Sequence, residues 1–137
     1  MQPLDELVRA MYKALAAGDA KTIAGLLDPG FESNFAAGLP DGIGGRHIGP
    51  EASMREAWWP LGRLTKTRAE PLEWIPTADG RLLVRGIYRG RARASDAAFE
   101  AEFMHLWSGA AGRLTGLRQL TDTVQWLRAL EAPATSG

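Results

Sequence analysis

The chain has 137 residues, enough for one domain with a real core, and its 16 Lys+Arg balance 16 Asp+Glu. Zero net charge gives nucleic acid no electrostatic hold and leaves little repulsion between copies, which favours self-association. The absence of cysteine excludes disulfides and thiolate metal sites, and no run approaches the roughly 20 apolar residues of a membrane span, so no membrane partner is expected.

The opening MQPLDELVRAMYKAL places acids ahead of its apolar residues and lacks a basic n-region. It does not read as a signal peptide, and a cytoplasmic location is expected. Leu4, Leu7, Val8, Met11, Tyr12 and Leu15 recur at helical spacing up to Gly18, which is placed to end the helix. Asp19 is placed to cap a second short helix carrying Ile23, Leu26 and Leu27, stopped by Asp28-Pro29-Gly30. Residues 31–35 predict a short strand. Residues 36–49 read as a loop by composition, with Gly38, Pro40, Gly42, Gly44 and His47 inside it. Pro50 suits a helix start, and residues 51 to about 64 predict a third helix carrying Trp58 and Trp59, disturbed at Pro60.

The pattern then changes to strands: residues 65–75 (weakened by Pro71), 82–94, 99–107 and 114–121, with a closing helix at 122–130. Residues 1–131 form one domain and 132–137 a tail expected to fray. Helices first and a meander afterwards predict an α+β domain, with three N-terminal helices packed on the concave face of a curved antiparallel sheet.

Phe99, Ala101, Phe103, His105 and Trp107 share one strand face at period two, which sets an imidazole in an aromatic wall. Leu114, Gly116, Arg118, Leu120 and Asp122 are read as one face of the next strand. An apolar face carrying a His and an Asp suggests a pocket wall. Asp122 is the first catalytic candidate, because a carboxylate against aromatic surface is a stronger base than one in water. The competing reading makes it the N-cap of the closing helix. His105 is the second, as proton partner of Asp122 or donor to an oxyanion, against a purely structural histidine. Asn34 and Tyr12 are expected to orient a ligand. Trp58, Trp59, Tyr88, Phe103 and Trp107 are expected to shape an aromatic pocket for a hydrophobic ligand. Adjacent Trp58 and Trp59 point differently, so at most one is expected to face it. The stripe Arg85, Arg89, Arg91 lacks interleaved aromatics and faces Glu100 and Glu102, which favours a solvated or dimer-facing surface over a nucleic-acid site. His47 is read as a lid residue or simply exposed. Two distant histidines make a poor metal site, and no strand precedes Gly42-Ile43-Gly44-Gly45 in the strand–loop–helix unit a phosphate loop requires, so no metal and no cofactor is expected.

The element order, together with LAAGDAKTIAGLLDPGF, GRHIGPEA and FMHLW…AGRLTGLRQLTDT, resembles the nuclear-transport-factor-2-like superfamily in its SnoaL-like (polyketide cyclase) and ketosteroid-isomerase-like branch. The resemblance covers nearly the whole chain and implies a cone-shaped, cystatin-like α+β barrel with a conical pocket. It also implies an acid/base carboxylate at Asp122. Matching LAAGD without gaps puts Met11, one residue before Tyr12, at the isomerases' oxyanion-binding tyrosine, and FESN offers no clear isomerase base. Aligning on AGRLTG puts Gly86 and Tyr88 where limonene-epoxide-hydrolase-like members carry Arg and Asp. Both of those chemistries are disfavoured. The expectation is a cofactor-independent acid/base enzyme for cyclisation, isomerisation or hydration of a hydrophobic oxygenated small molecule, such as a polyketide, working as a homodimer. The rival is a non-catalytic binding or dimerisation domain of the same fold.

Overall fold

A computed structural model describes residues 3–134. Of the tail expected to fray, residues 135–137 lie outside the described residues. Helix α1 (Leu4–Ala17) buries Leu7, Val8, Met11 and Ala14 and ends at Gly18 with φ 63°. There the Gly18 and Asp19 N–H groups turn back to the Leu15 and Ala14 carbonyls, a left-handed cap that a Cβ would strain. Helix α2 (Ala20–Leu26) is capped as predicted, Asp19 Oδ1 accepting the Thr22 N–H at 3.1 Å.

Strand β1 (Leu27–Phe35) leads through a glycine-rich turn into β2 (Gly45–Ile48), where composition predicts only loop. The segment GRHI is too short to show alternation by itself; pairing with β1, from Glu32↔Ile48 to Phe35↔Gly45, makes it a strand. Helix α3 covers residues 50–64 in three pieces: Pro50–Ser53, a π-helical turn Met54–Trp58, and Trp59–Leu64. The Trp59 N–H reaches the Met54 carbonyl, and Pro60, with no N–H to continue the α-helical ladder, stands next to this widened turn.

Four long strands follow: β3 (Thr65–Pro76), β4 (Leu82–Ala92), β5 (Ala98–Ala110) and β6 (Arg113–Thr121), then helix α4 (Thr123–Leu130). The sheet order is β2-β1-β6-β5-β4-β3, curved and unclosed. The expected antiparallel sheet carries one exception, since β1 runs parallel to β6. Pro71 is tolerated because β3 is an edge strand and its register shifts between Pro71 and Glu73. Ala111 and Gly112, both at positive φ, turn β5 into β6 as a tight hairpin.

Helices α1, α3 and α4 cover one sheet face, and the core lies between, filled by Trp107, Trp126, Phe31 and Phe103, all under 2 % exposed. The fold is the expected α+β architecture. On the outer face Arg89 pairs with Glu70 and Glu100, and Arg85 with Glu73 and Glu102, so the arginine stripe is neutralised by its strand neighbours. No helix among the described residues is long and apolar enough to cross a membrane.

Candidate functional site

The inner wall is set by strand register. Across β4–β5–β6, Val84 faces His105 and His105 faces Gln119; Gly86 faces Phe103 and Phe103 faces Thr121. Residues directly opposite in an antiparallel pair share a sheet face, so Leu117, Gln119 and Thr121 point with His105. This corrects the expected phase of β6. Ser108 pairs with Gly116 but Gly109 pairs with Leu114, so Thr115 is an extra residue that reverses the alternation. Leu114 is buried before the bulge, whereas Leu120 is 60 % exposed after it.

Asp122 follows the outer phase. It is exposed at the N-cap position of α4, where its side chain makes no cap hydrogen bond, and its N–H donates to the Glu102 carbonyl at 3.1 Å. The expected Asp122–His105 pair is therefore not formed. Asn34 is also on the outer phase of β1, opposite Arg46 and Arg118, away from the cavity.

His105 takes different partners. Tyr12 Oη lies 2.7 Å from its Nδ1 and Tyr88 Oη 2.6 Å from its Nε2. Trp107 Nε1 donates to Tyr12 Oη at 3.1 Å, and Gln119 Nε2 donates to Tyr88 Oη at 2.8 Å. The Gln119 carbonyl oxygen accepts the Ala36 N–H at 3.3 Å, which fixes the amide with its NH₂ toward Tyr88. Phe103 stacks on the imidazole with centroids 4.1 Å apart, a position open because Gly86 has no Cβ: one placed there would meet Phe103 Cζ at 2.5 Å.

The proton count in this network is fixed. A neutral imidazole has one N–H and one lone pair, so one tyrosine donates to the ring and the other accepts from it. Each tyrosine oxygen already accepts a dedicated donor, Trp107 or Gln119. In either tautomer one tyrosine O–H is left without a partner inside the network. Burial holds the ring neutral by pushing the His105 pKa down to about 3. Burial also raises both tyrosines, against the smaller lowering effect of the Trp107 and Gln119 hydrogen bonds, so both keep their protons.

Tyr12, Tyr88, His105 and Gln119 all line one cavity of about 640 Å³, with Trp107, Trp126, Leu117, Leu61 and both Trp58 and Trp59. Both tryptophans of the pair face it, contrary to the expectation of one. Trp58 packs inward on Phe31 and Phe35, at the end of the π-helical turn, while Trp59 opens the α-helical piece. Phe103 is 1 % exposed and supports His105 from behind without lining the cavity. Tyr12 lines it although Met11 occupies the resemblance's tyrosine position; Met11 itself is fully buried. Gln119 escaped the sequence reading because the bulge hid its phase; a polar residue inside LRQLT was the only local signal. His47 is buried, not a lid: Nε2–H donates to the Ile43 carbonyl at 2.7 Å and Nδ1 meets Glu56 at 2.9 Å. Arg63, Lys66, Arg68 and Arg93 border the cavity, and no Asp or Glu does among the described residues. No cluster of three or more His, Cys, Asp or Glu suited to a metal occurs among them either.

The sequence model of one family, described as a SnoaL-like domain, matches residues 8–117. No curated protein matches the sequence. Among solved structures, an NTF2-like protein of unknown function from Burkholderia pseudomallei is similar at TM-score 0.85 and 24% identity, over 96% of this chain and 100% of that one. TerC, co-crystallised with polyporic acid, is similar at 0.84 and 23%, over 96% and 100%. IdmH from Streptomyces antibioticus, a candidate polyketide cyclase, is similar at 0.77 and 18%, over 92% and 96%. At these identities the likeness is one of fold.

Proposed function

The chain belongs to the SnoaL-like domain family, and we propose that its cavity takes a hydrophobic small molecule with a carbonyl oxygen, on which it acts by cofactor-independent acid–base chemistry. The observation that carries this reading is the single tyrosine proton left over by the Tyr12–His105–Tyr88 network at the cavity wall. A neutral donor in an aromatic-lined cavity polarises a carbonyl and stabilises the oxyanion that forms when it is enolised or attacked. The reaction classes served are isomerisation, cyclisation and hydration. Trp58, Trp59 and Trp107 supply flat apolar contact, and the bordering cations favour developing negative charge.

Candidate polyketide cyclases of the same fold support an enzyme. Binding without turnover is the second reading, favoured by a cavity wall that holds no carboxylate base among the described residues. The homodimer contact belongs on the outer sheet face, where Met104 and Leu120 are register partners and both exposed.

The test is the carbonyl stretch of 1-acetonaphthone bound to the protein. It falls in frequency on binding to the unaltered chain and returns toward the free value in the Tyr12→Phe/Tyr88→Phe double variant. A ketone that does not bind, or binds with an unshifted stretch, overturns the proposal.

A further inference from the structure

Both ring nitrogens of His105 are committed to tyrosine hydroxyls, and both tyrosines line the same cavity. A histidine that merely supported one donor would need only one of these contacts, its other nitrogen being free for a backbone carbonyl. Nor is the arrangement closed off from a ligand: both tyrosines are partly exposed, while the imidazole between them is 4 % exposed. The two flanking donors, Trp107 and Gln119, are each held in one orientation, the indole by having only an N–H and the amide by the Ala36 N–H on its oxygen. The only groups able to reorient are therefore the two hydroxyl protons and the imidazole N–H between them. They have two self-consistent arrangements, mirror images along the chain, and each leaves its spare O–H on a different tyrosine.

We infer that Tyr12, His105 and Tyr88 act as one proton relay that takes a proton from an enolised carbonyl ligand at one tyrosine and returns one to the same ligand at the other. This rests on the reading of the cavity as a site for carbonyl ligands and adds the direction of proton flow. With the imidazole N–H on Nε2, an enol O–H next to Tyr12 breaks and its proton passes to the Tyr12 oxygen. The Tyr12 proton passes to Nδ1, the Nε2 proton to the Tyr88 oxygen, and the spare Tyr88 proton to the ligand. If that last proton reaches the enol carbon, the C=C electron pair forms the new C–H bond and the enol C–O becomes C=O. The protein returns neutral, with its imidazole proton on the other nitrogen, and passage in the opposite sense restores it. No charged base is required, which accords with a cavity wall that has no carboxylates among the described residues.

The test uses 1-phenyl-1,3-butanedione, whose enol absorption decays as it ketonises after transfer to buffer. The unaltered protein accelerates the decay. Tyr12→Phe and Tyr88→Phe each lower that acceleration by about 10²-fold, while the probe's Kd changes by less than about tenfold, the worth of one hydrogen bond. His105→Gln, which keeps a donor and an acceptor but cannot pass a proton between them, lowers it as much. A second measurement needs no variant: the rate in H₂O/D₂O mixtures curves with deuterium content, because several protons move together. Bound probe with no acceleration, acceleration retained in either tyrosine variant, or a linear dependence on deuterium overturns the relay. If 1-acetonaphthone still binds with a lowered carbonyl stretch, the relay alone falls; if it does not bind, the reading of the cavity falls with it.

Discussion

Replacing His105 by glutamine removes a ring whose protonation the fold opposes, and the effect is readable as a pH-dependent stability difference. Burial moves its pKa from 6.5 in the open chain to about 3 in the fold. Between those values the unfolded chain binds a proton that the folded chain refuses, so stability falls as pH falls below about 6.5 and the loss levels off only near pH 3. Each pH unit inside that window is worth about 1.4 kcal/mol. From pH 6.5 to 4.5 the ring therefore costs the unaltered protein about 2 kcal/mol, allowing for its half-protonation in the unfolded chain at the start. Carboxylates held low by their hydrogen-bonded partners, such as Glu32 by Arg46 and Glu70 by Arg68 and Arg89, also lose stability as pH falls. They do so in both proteins, so the difference isolates His105. Urea unfolding at pH 6.5, 5.5 and 4.5 is the assay. His105→Gln starts about 1–3 kcal/mol below the unaltered chain, having lost the partner of two buried hydroxyls, and the gap narrows by about 2 kcal/mol by pH 4.5. Parallel lines refute the neutral buried imidazole, and with it the proton count of the network.

Two further substitutions probe the site's geometry. Asp122→Asn leaves the carbonyl stretch of bound 1-acetonaphthone unchanged and alters stability by less than about 1 kcal/mol, because the side chain makes no cap hydrogen bond; a lost shift would restore Asp122 to the site. Gly86→Ala puts a methyl group 2.2 Å from the Glu70 carbonyl oxygen and 2.5 Å from Phe103 Cζ. It destabilises by about 1–3 kcal/mol and moves the Phe103 ring off the imidazole, seen as a change in the His105 ring-proton shifts; a neutral substitution would show that the stack is not tight.

Much of the fold was legible because its signals are local. Helix α1 declares itself by spacing and by Gly18, α2 by Asp19, and β5 by an alternation that puts Phe99, Phe103, His105 and Trp107 on one face without interruption. Strand β2 was hidden because four residues carry no period; only its pairing with β1 creates it. The site divided along the same line. His105, Tyr88 and Trp107 could be placed from their own strands, whereas helical phase admitted only one of Trp58 and Trp59 and the structure brings both to the cavity. The choice between Gln119 and Asp122 depended on one unpaired residue at Thr115, which shows only in the pairing with β5. Tyr12 had a similar fate: helical phase placed it beside Met11, and only the position of α1 over the sheet decides which of them reaches the imidazole.

That unpaired Thr115 bears on how this chain is compared with others. Sliding the segment after it by one column exchanges the whole set of side chains offered to His105: Gln119 gives way to Arg118 or Leu120, and a neutral amide becomes a cation or a hydrocarbon. An alignment that gains or loses a single gap in GRLTGLRQLT would thus assign the interior of the protein to residues that face solvent. Matching residues to roles in this stretch has to begin from strand pairing, with the letters read afterwards.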